Sequence, residues 1–259
     1  MVGRWPTEVT SWTWVAASRR GTSHERRGER RQDAFRTLGT ASGDAVVLVA
    51  CDGAGSAARG GSGAAIAARM LSNALRRRLD SGMWPTDENV WDGIDEVRDR
   101  IAVVAERIGM TSRDFATTVV LVISDGTRTM AVHVGDGAAV VRCRETEVWT
   151  ALSWPTQGEY ASTTFFLTDE GGARVRISRS DVPVDRLAVF TDGIERLALD
   201  FASHTAHAPF FSGISEPVAR APTDGWNVPL SRKLGEYLSC DAVNARTDDD
   251  KTLILACRR

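Results

Sequence analysis

Apolar residues in this chain recur with two different periods, and the change of period marks the change of element. Short apolar or alternating runs predict strands at Val9–Ala17, Ala45–Cys51, Ala116–Ile123, Met130–Val134, Ala138–Arg144, Glu147–Leu152, Arg174–Ile177, Arg186–Phe190 and Thr252–Cys257. A helical period appears in two neighbouring stretches. In Ala64–Leu79, Ala67, Leu71, Leu75 and Leu79 recur every fourth residue. In Asp87–Ile108, Val90, Ile94, Val97, Ile101, Val104 and Ile108 alternate steps of four and three. Shorter helices are predicted at Ile194–Leu199 and Leu230–Leu238, while Ser153–Gly172 and Phe201–Val228 read as irregular connections. Strands at hairpin spacing with helices gathered in pairs predict an α+β chain of antiparallel sheets covered by helices, not a βαβ repeat.

Composition narrows the class without naming a function. A chain of 259 residues, 42% hydrophobic and 25% charged, suits one globular domain spanning 1–259. Of its 32 basic residues only Lys233 and Lys251 are lysine, yet 34 acids leave a net charge of −2. That balance lacks the basic excess that phosphate-backbone binding requires, so no nucleic-acid partner is expected. Cys51, Cys143, Cys240 and Cys257 are scattered without metal spacing and read as reduced core thiols. No apolar leader follows Met1 and no run is long enough to span a bilayer, so the expected location is cytoplasmic with no membrane partner. The eight tryptophans, among them Trp12, Trp14, Trp84, Trp91 and Trp226, are expected in core and helix–sheet packing. His204 and His207 read as loop residues rather than a metal pair.

Chemistry concentrates at the ends of the apolar runs. Asp52-Gly53 follows Ala45–Cys51, Thr191-Asp192-Gly193 follows Leu187–Phe190, and Asp248-Asp249-Asp250 precedes Thr252–Leu255. Gly135-Asp136-Gly137 and Gln32-Asp33 add two more aspartates. Any one Asp-Gly is consistent with an ordinary turn. Several acids at strand ends would repel one another, and a hard divalent cation such as Mg2+ or Mn2+ relieves that repulsion through oxygen ligands.

The order Gln-Asp, Asp-Gly-x-Gly, Gly-Asp-Gly, Thr-Asp-Gly and Asp-Asp-x-Thr resembles the metal-dependent protein phosphatases, the type 2C serine/threonine phosphatases, over about Trp12 to Ala256. Gly21-Thr22-Ser23-His24 ahead of Gln32-Asp33-Ala34 is similar to a bacterial branch of that family. The resemblance implies a four-layer α-β-β-α sandwich, two packed antiparallel sheets flanked by helix pairs, with a flap at 153–173. It implies metal-dependent hydrolysis of phosphoserine and phosphothreonine on proteins, through water activated at a binuclear Mg2+ or Mn2+ site. Asp52 would bridge the two ions with the Gly53 carbonyl beside it, Asp192 and Asp249 would hold one, and Asp33 would lie near the other. Asp136 would serve a third, weaker ion.

The family also places an arginine ahead of its first acidic pair to grip the phosphate. Here Arg26, Arg27, Arg30 and Arg31 crowd that region; Arg27 is the first choice as catalytic and substrate-binding group and Arg30 the second. The implied partner is a phosphoprotein signalling substrate opposed to a Ser/Thr kinase, acted on by a monomer. Five positions depart from the family pattern: Gln32, Ala54, Gly137, Ala138 and Asp250 stand where Glu, His or Met, Ser, Arg and Asn are common. Ala54 leaves protonation of the leaving group to solvent or another side chain. A catalytically silent phosphatase fold that binds phosphoproteins or regulators is therefore the alternative. Ser124-Asp125-Gly126-Thr127 hints at a haloacid-dehalogenase phosphatase, but Ile123 stands where that family needs its nucleophilic aspartate.

Overall fold

A computed structural model describes residues 11–156 and 164–259. In chain order its elements are β1 (Trp12–Arg19), α1 (Thr22–Arg26), β2 (Ala34–Gly39), β3 (Val46–Cys51), α2 (Gly60–Asp80), α3 (Asp87–Arg107), β4 (Val119–Ser124), β5 (Thr129–Val134), β6 (Ala138–Cys143) and β7 (Trp149–Ser153). There follow β8 (Arg176–Ser180), β9 (Val184–Phe190), α4 (Glu195–Ala198), β10 (Leu199–Asp200), β11 (Thr205–Ala206), α5 (Ala208–Ala219), β12 (Gly225–Trp226), α6 (Val228–Leu238), α7 (Asp241–Asn244) and β13 (Lys251–Arg258). One sheet runs β2-β3-β4-β5-β8 and is antiparallel throughout. The other runs β12-β1-β13-β9-β6-β7, antiparallel except for the short β12 beside β1.

The unbroken apolar runs are explained by burial on both faces. In β3, Val46, Leu48 and Ala50 join Val120, Leu187, Val189 and Ile254 in a core between the two sheets. The alternate residues Val47, Val49 and Cys51 pack with Ala67, Leu71, Val90, Ile94, Val97 and Ile101 of α2 and α3. On the far side, Leu253, Leu255, Ala188 and Phe190 meet Phe211 and Val218 of α5 and Leu234 and Leu238 of α6. Three cores stacked in this way make the expected four layers, helix pair, sheet, sheet, helix pair.

Several expectations are corrected. Phe201–Val228 is not irregular throughout: it contains α5, whose Phe211, Ser215 and Val218 are buried at helical spacing although Pro217 lies inside the helix. β2 carried no forecast, since none of its residues is fully buried and its pattern is weak. The helix expected over Ala64–Leu79 begins earlier, at Gly60. Trp91 and Trp226 are 42% and 54% exposed, unlike the buried Trp12. The start of the first strand at Val9 lies outside the described residues. Ser124–Thr127 forms the β4–β5 hairpin turn, in which Asp125 accepts from the Thr127 and Arg128 N–H groups. All four cysteines are free thiols, and among the described residues no helix is long and apolar enough to cross a membrane.

The double-sided burial gives a direct test. Leu48→Ala should lower the unfolding free energy by about 2–5 kcal/mol, because its neighbours belong to two sheets that cannot both collapse onto the cavity. Val103→Ala, at a position 41% exposed, should change it by no more than about 0.5 kcal/mol. Urea unfolding of the two variants beside the parent measures both.

Candidate functional site

Hairpin register brings the acids to one end of the sandwich. Ala34 pairs with Cys51, so Asp33 and Asp52 are neighbours where β2 begins and β3 ends. Phe190 pairs with both Leu253 and Ala138, which sets Asp192 close to the residues before β13 and to the Gly135–Gly137 turn. The glycines after Asp52 and Asp192 are needed for close approach of backbones, not for a left-handed turn. A Cβ on Gly53 would lie 2.2 Å from the Gly60 carbonyl carbon, and one on Gly193 would lie 1.9 Å from the Asp250 carbonyl oxygen.

Asp33 ties the sheets together at this end. Its Oδ2 accepts from Thr191 Oγ1 at 2.9 Å and from Thr252 Oγ1 at 2.6 Å, both from the opposite sheet. Thr191 in turn accepts from the Thr252 N–H at 3.1 Å. The motif threonines therefore orient an aspartate that lies 158 and 219 residues away in sequence, a role no local pattern discloses. Asp52 is fixed through its backbone: Thr118 Oγ1 accepts its N–H, and its carbonyl accepts from the Thr118 N–H and the Thr117 hydroxyl.

The departures from the family pattern have structural partners. Asp250 is buried, and its carboxylate accepts the Gly21 N–H at 2.7 Å and the Gln32 N–H at 2.5 Å while meeting His24 Nδ1 at 2.9 Å. An acid at 250 thus clamps the α1 loop and the start of the Gln32-Asp33 segment onto the strand that follows Asp249. Gln32, with its amide nitrogen turned inward, donates to the carbonyls of Gly53 at 2.8 Å and Ala54 at 2.9 Å. The Gly137 N–H donates to Glu195 Oε1 at 2.8 Å. Glu195, which the sequence did not single out, shares a cleft of about 230 Å³ with Asp192, Asp248 and Asp249.

Asp136 sits between two supports. Its Oδ2 accepts from Thr164 Oγ1 at 2.8 Å, and its carbonyl faces His133 Nε2 at 3.2 Å. The Arg176 guanidinium, which can only donate, lies 2.9 Å from His133 Nδ1, so Nε2 carries the ring proton and donates to Asp136. Burial and then the Arg176 charge push the imidazole down to about 3. Of the expected flap 153–173, residues 157–163 lie outside the described residues. The ends are anchored at the site, Thr156 N–H on the Gly135 carbonyl and Leu167 N–H on the Thr117 carbonyl.

Electrostatics at this end are unfavourable for the protein alone. Burial, foremost, raises the Asp33 carboxyl to about 6 and Glu195 to about 7, and pushes Asp52 and Asp192 well above the usual carboxylate range with their acidic neighbours adding to it. Asp136 is raised too, again chiefly by burial. Among the described residues Asp33 Oδ1 and Asp136 Oδ1 are buried with no hydrogen-bond partner. Orphaned carboxylate oxygens among mutually repelling acids fit a hard divalent cation. Among the described residues no three acid, His or Cys side chains form a complete cage, so such an ion would also need backbone, water or ligand oxygens, as Mg2+ commonly does.

The arginines divide by partner. Arg27 is exposed and its Nε donates to Glu29 at 2.8 Å. Arg31 donates to the Asp33 carbonyl at 3.1 Å and the Ser18 carbonyl at 3.0 Å. Arg30 borders a cleft beside Gln32 and makes no ion pair among the described residues. His204 stacks on Trp154 at 3.9 Å and His207 caps α5, so neither joins the acids.

The raised carboxyls fix the sign of a pH effect in metal-free protein. Asp33 has an ordinary value of 3.8 and a folded value of about 6, so between those limits the folded chain holds more protons than the unfolded one. Stability must then fall as pH rises through about 4 to 6, with Glu195 extending the fall toward 7. Melting in EDTA should show this decline, and Asp33→Asn should flatten its lower part.

Comparisons with known proteins identify the family. Residues 20–239 match the family described as Protein phosphatase 2C. Serine/threonine-protein phosphatase 3 of Escherichia coli (strain K12) is 35% identical over 254 residues, covering 95% of this chain and 98% of that protein. Among solved structures, the serine/threonine phosphatase Stp1 from Staphylococcus aureus superposes with a TM-score of 0.59 at 16% identity, covering 94% of each chain. The catalytic domain of the serine threonine protein phosphatase PstP, in complex with two manganese ions, superposes with a TM-score of 0.62 at 17% identity, covering 96% of this chain and 99% of that one. On the profile match and the extent of identity, the chain belongs to the protein phosphatase 2C family.

Proposed function

We propose that this chain is a metal-dependent phosphatase acting as one domain on phosphoserine and phosphothreonine in proteins, opposing a Ser/Thr kinase in the cytoplasm as a monomer. The observation that carries the proposal is the gathering of Asp33, Asp52, Asp136 and Asp192 beside Asp249, with two buried carboxylate oxygens that have no hydrogen-bond partner among the described residues. Asp52 with the Gly53 carbonyl, Asp33, Asp192 and Asp249 would hold two Mg2+ or Mn2+ ions, and Asp136 a third. When bound, such ions neutralise phosphoryl oxygens and acidify water for in-line attack.

The chain's own groups then orient and confine the reaction. Thr191 and Thr252 hold Asp33 in one rotamer, and Thr117 and Thr118 fix the backbone that presents Asp52. Arg30 is free to offer its guanidinium fork to the phosphate, whereas Arg27 would first have to leave Glu29. Thr164 and His133 set the Asp136 turn at the foot of the flap.

Hydrolysis of an aryl phosphate and of a phosphothreonine peptide, each with Mn2+, Mg2+ or EDTA, tests the proposal; turnover that persists in EDTA would defeat it, as would none with either metal. Asp52→Asn should lower kcat by on the order of a thousandfold, since several kcal/mol of charge stabilisation depends on the shared ligand, while the protein still folds and melts higher than the parent in EDTA. Asp192→Asn and Asp249→Asn should each raise the Mn2+ concentration for half activity. Their double variant should cost less than the summed effects if both serve one ion; strict additivity would assign them to different ions.

A further inference from the structure

The two clefts beside the acids carry opposite character. The cleft on the β13 side is lined by Asp192, Glu195, Asp248 and Asp249 against Arg196 and Arg246. A second cleft, of about 520 Å³, opens between the loop 29–32 and the segment 55–62 and is lined by Arg30, Arg31 and Arg59, with Glu29 its one acidic lining residue. Glu29 is already paired with Arg27 at 2.8 Å. Arg31 spends two of its donors on backbone carbonyls. Arg30 and Arg59 are exposed and have no acidic partner among the described residues. The overall charge of −2 makes this local excess a property of the cleft rather than of the surface at large.

The cleft adjoins two of the acids along the chain. Gln32, in its wall, precedes Asp33, and Gly55 lies on the loop that leaves Asp52. The first turn of the 21-residue helix α2 forms part of the same wall and contains no acidic residue, so it adds to the positive sign. Arg59 stands at the N-cap of α2 but makes no side-chain cap bond; only its backbone is engaged, its N–H donating to the Asp114 carbonyl at 2.7 Å. Among the described residues no hydrogen bond or ion pair holds its guanidinium.

We infer that this cleft receives an acidic side chain, Asp or Glu, of the phosphoprotein segment being dephosphorylated, and that Arg59 is the specificity-determining residue. The inference rests on the phosphatase function proposed above. Guanidinium groups match carboxylates with two parallel hydrogen bonds, and an uncompensated basic cleft beside an acidic one orients a charged segment as well as attracting it. Arg59 would draw an acidic flank toward this cleft and repel a basic one. Because the arginines are exposed, the preference should weaken as salt is raised.

The experiment compares phosphothreonine peptides that differ only in flanking residues, with Glu, Ala or Lys placed on the amino or the carboxyl side, and uses an aryl phosphate as a substrate without flanks. With Mn2+ at low salt, a Glu flank on at least one side should raise kcat/KM about three- to tenfold over Ala, mainly through KM. Arg59→Ala should bring Glu and Ala flanks to parity and Arg59→Glu should reverse their order, both with an unchanged aryl phosphate rate and melting temperature. Equal rates for all flanks in the parent would overturn the inference, and so would a Glu preference that survives both substitutions. Failure of the parent to hydrolyse the aryl phosphate with Mn2+ would instead remove the phosphatase function itself, since that substrate has no flank to reach Arg59.

Discussion

Burying several carboxylates at the seam between two sheets is the constraint on which the rest of this structure depends. In a medium poorer in water, like charges at the ends of β2, β3, β9 and β13 repel strongly, and both burial and that repulsion drive Asp52 and Asp192 toward their neutral forms. The fold sets the buried Lys251 on Asn244 Oδ1, 2.9 Å away, and not on these carboxylates. It holds the acids in place with hydroxyls and backbone N–H groups, most visibly the two threonines on Asp33 Oδ2, and leaves Asp33 Oδ1 and Asp136 Oδ1 with no hydrogen-bond partner among the described residues. Such an arrangement is unfavourable alone and would be relieved by bound cations.

The same constraint gives meaning to the positions at which the chain departs from its family. Asp250 clamps Gly21 and Gln32 while meeting His24, so the loop bearing Asp33 is registered against the strand bearing Asp249. Gln32 donates to the carbonyls of Gly53 and Ala54, supporting the Asp52 loop where a glutamate would have added another negative charge. Gly137 offers its N–H to Glu195, which brings a further carboxyl beside Asp136. None of these changes removes an aspartate from the cluster.

Much of this was legible in the sequence, for identifiable reasons. Strands such as β3 and β4 announce themselves because both faces are buried and the run is unbroken, and α2 and α3 because each presents one apolar stripe to a sheet. The Asp-Gly pairs were legible as sites, but the need for glycine lies in backbone contacts between distant segments, Gly53 on Gly60 and Gly193 on Asp250, which spacing cannot disclose. β2 was missed because its burial is only partial, and α5 because Pro209 and Pro217 masked its period. The roles of Thr191, Thr252, His24 and Glu195 depend on cross-sheet proximity, and the choice among four crowded arginines depends on which already have partners.

Anomalous scattering from a crystal equilibrated with Mn2+ tests the central assignment most directly, because it locates the ions without reference to activity. Two strong peaks should lie on either side of the Asp52 carboxylate, each within about 2.5 Å of a carboxylate or carbonyl oxygen, with Asp192 and Asp249 on the same ion. An empty cluster at saturating Mn2+, or ions found only away from Asp52, would contradict it.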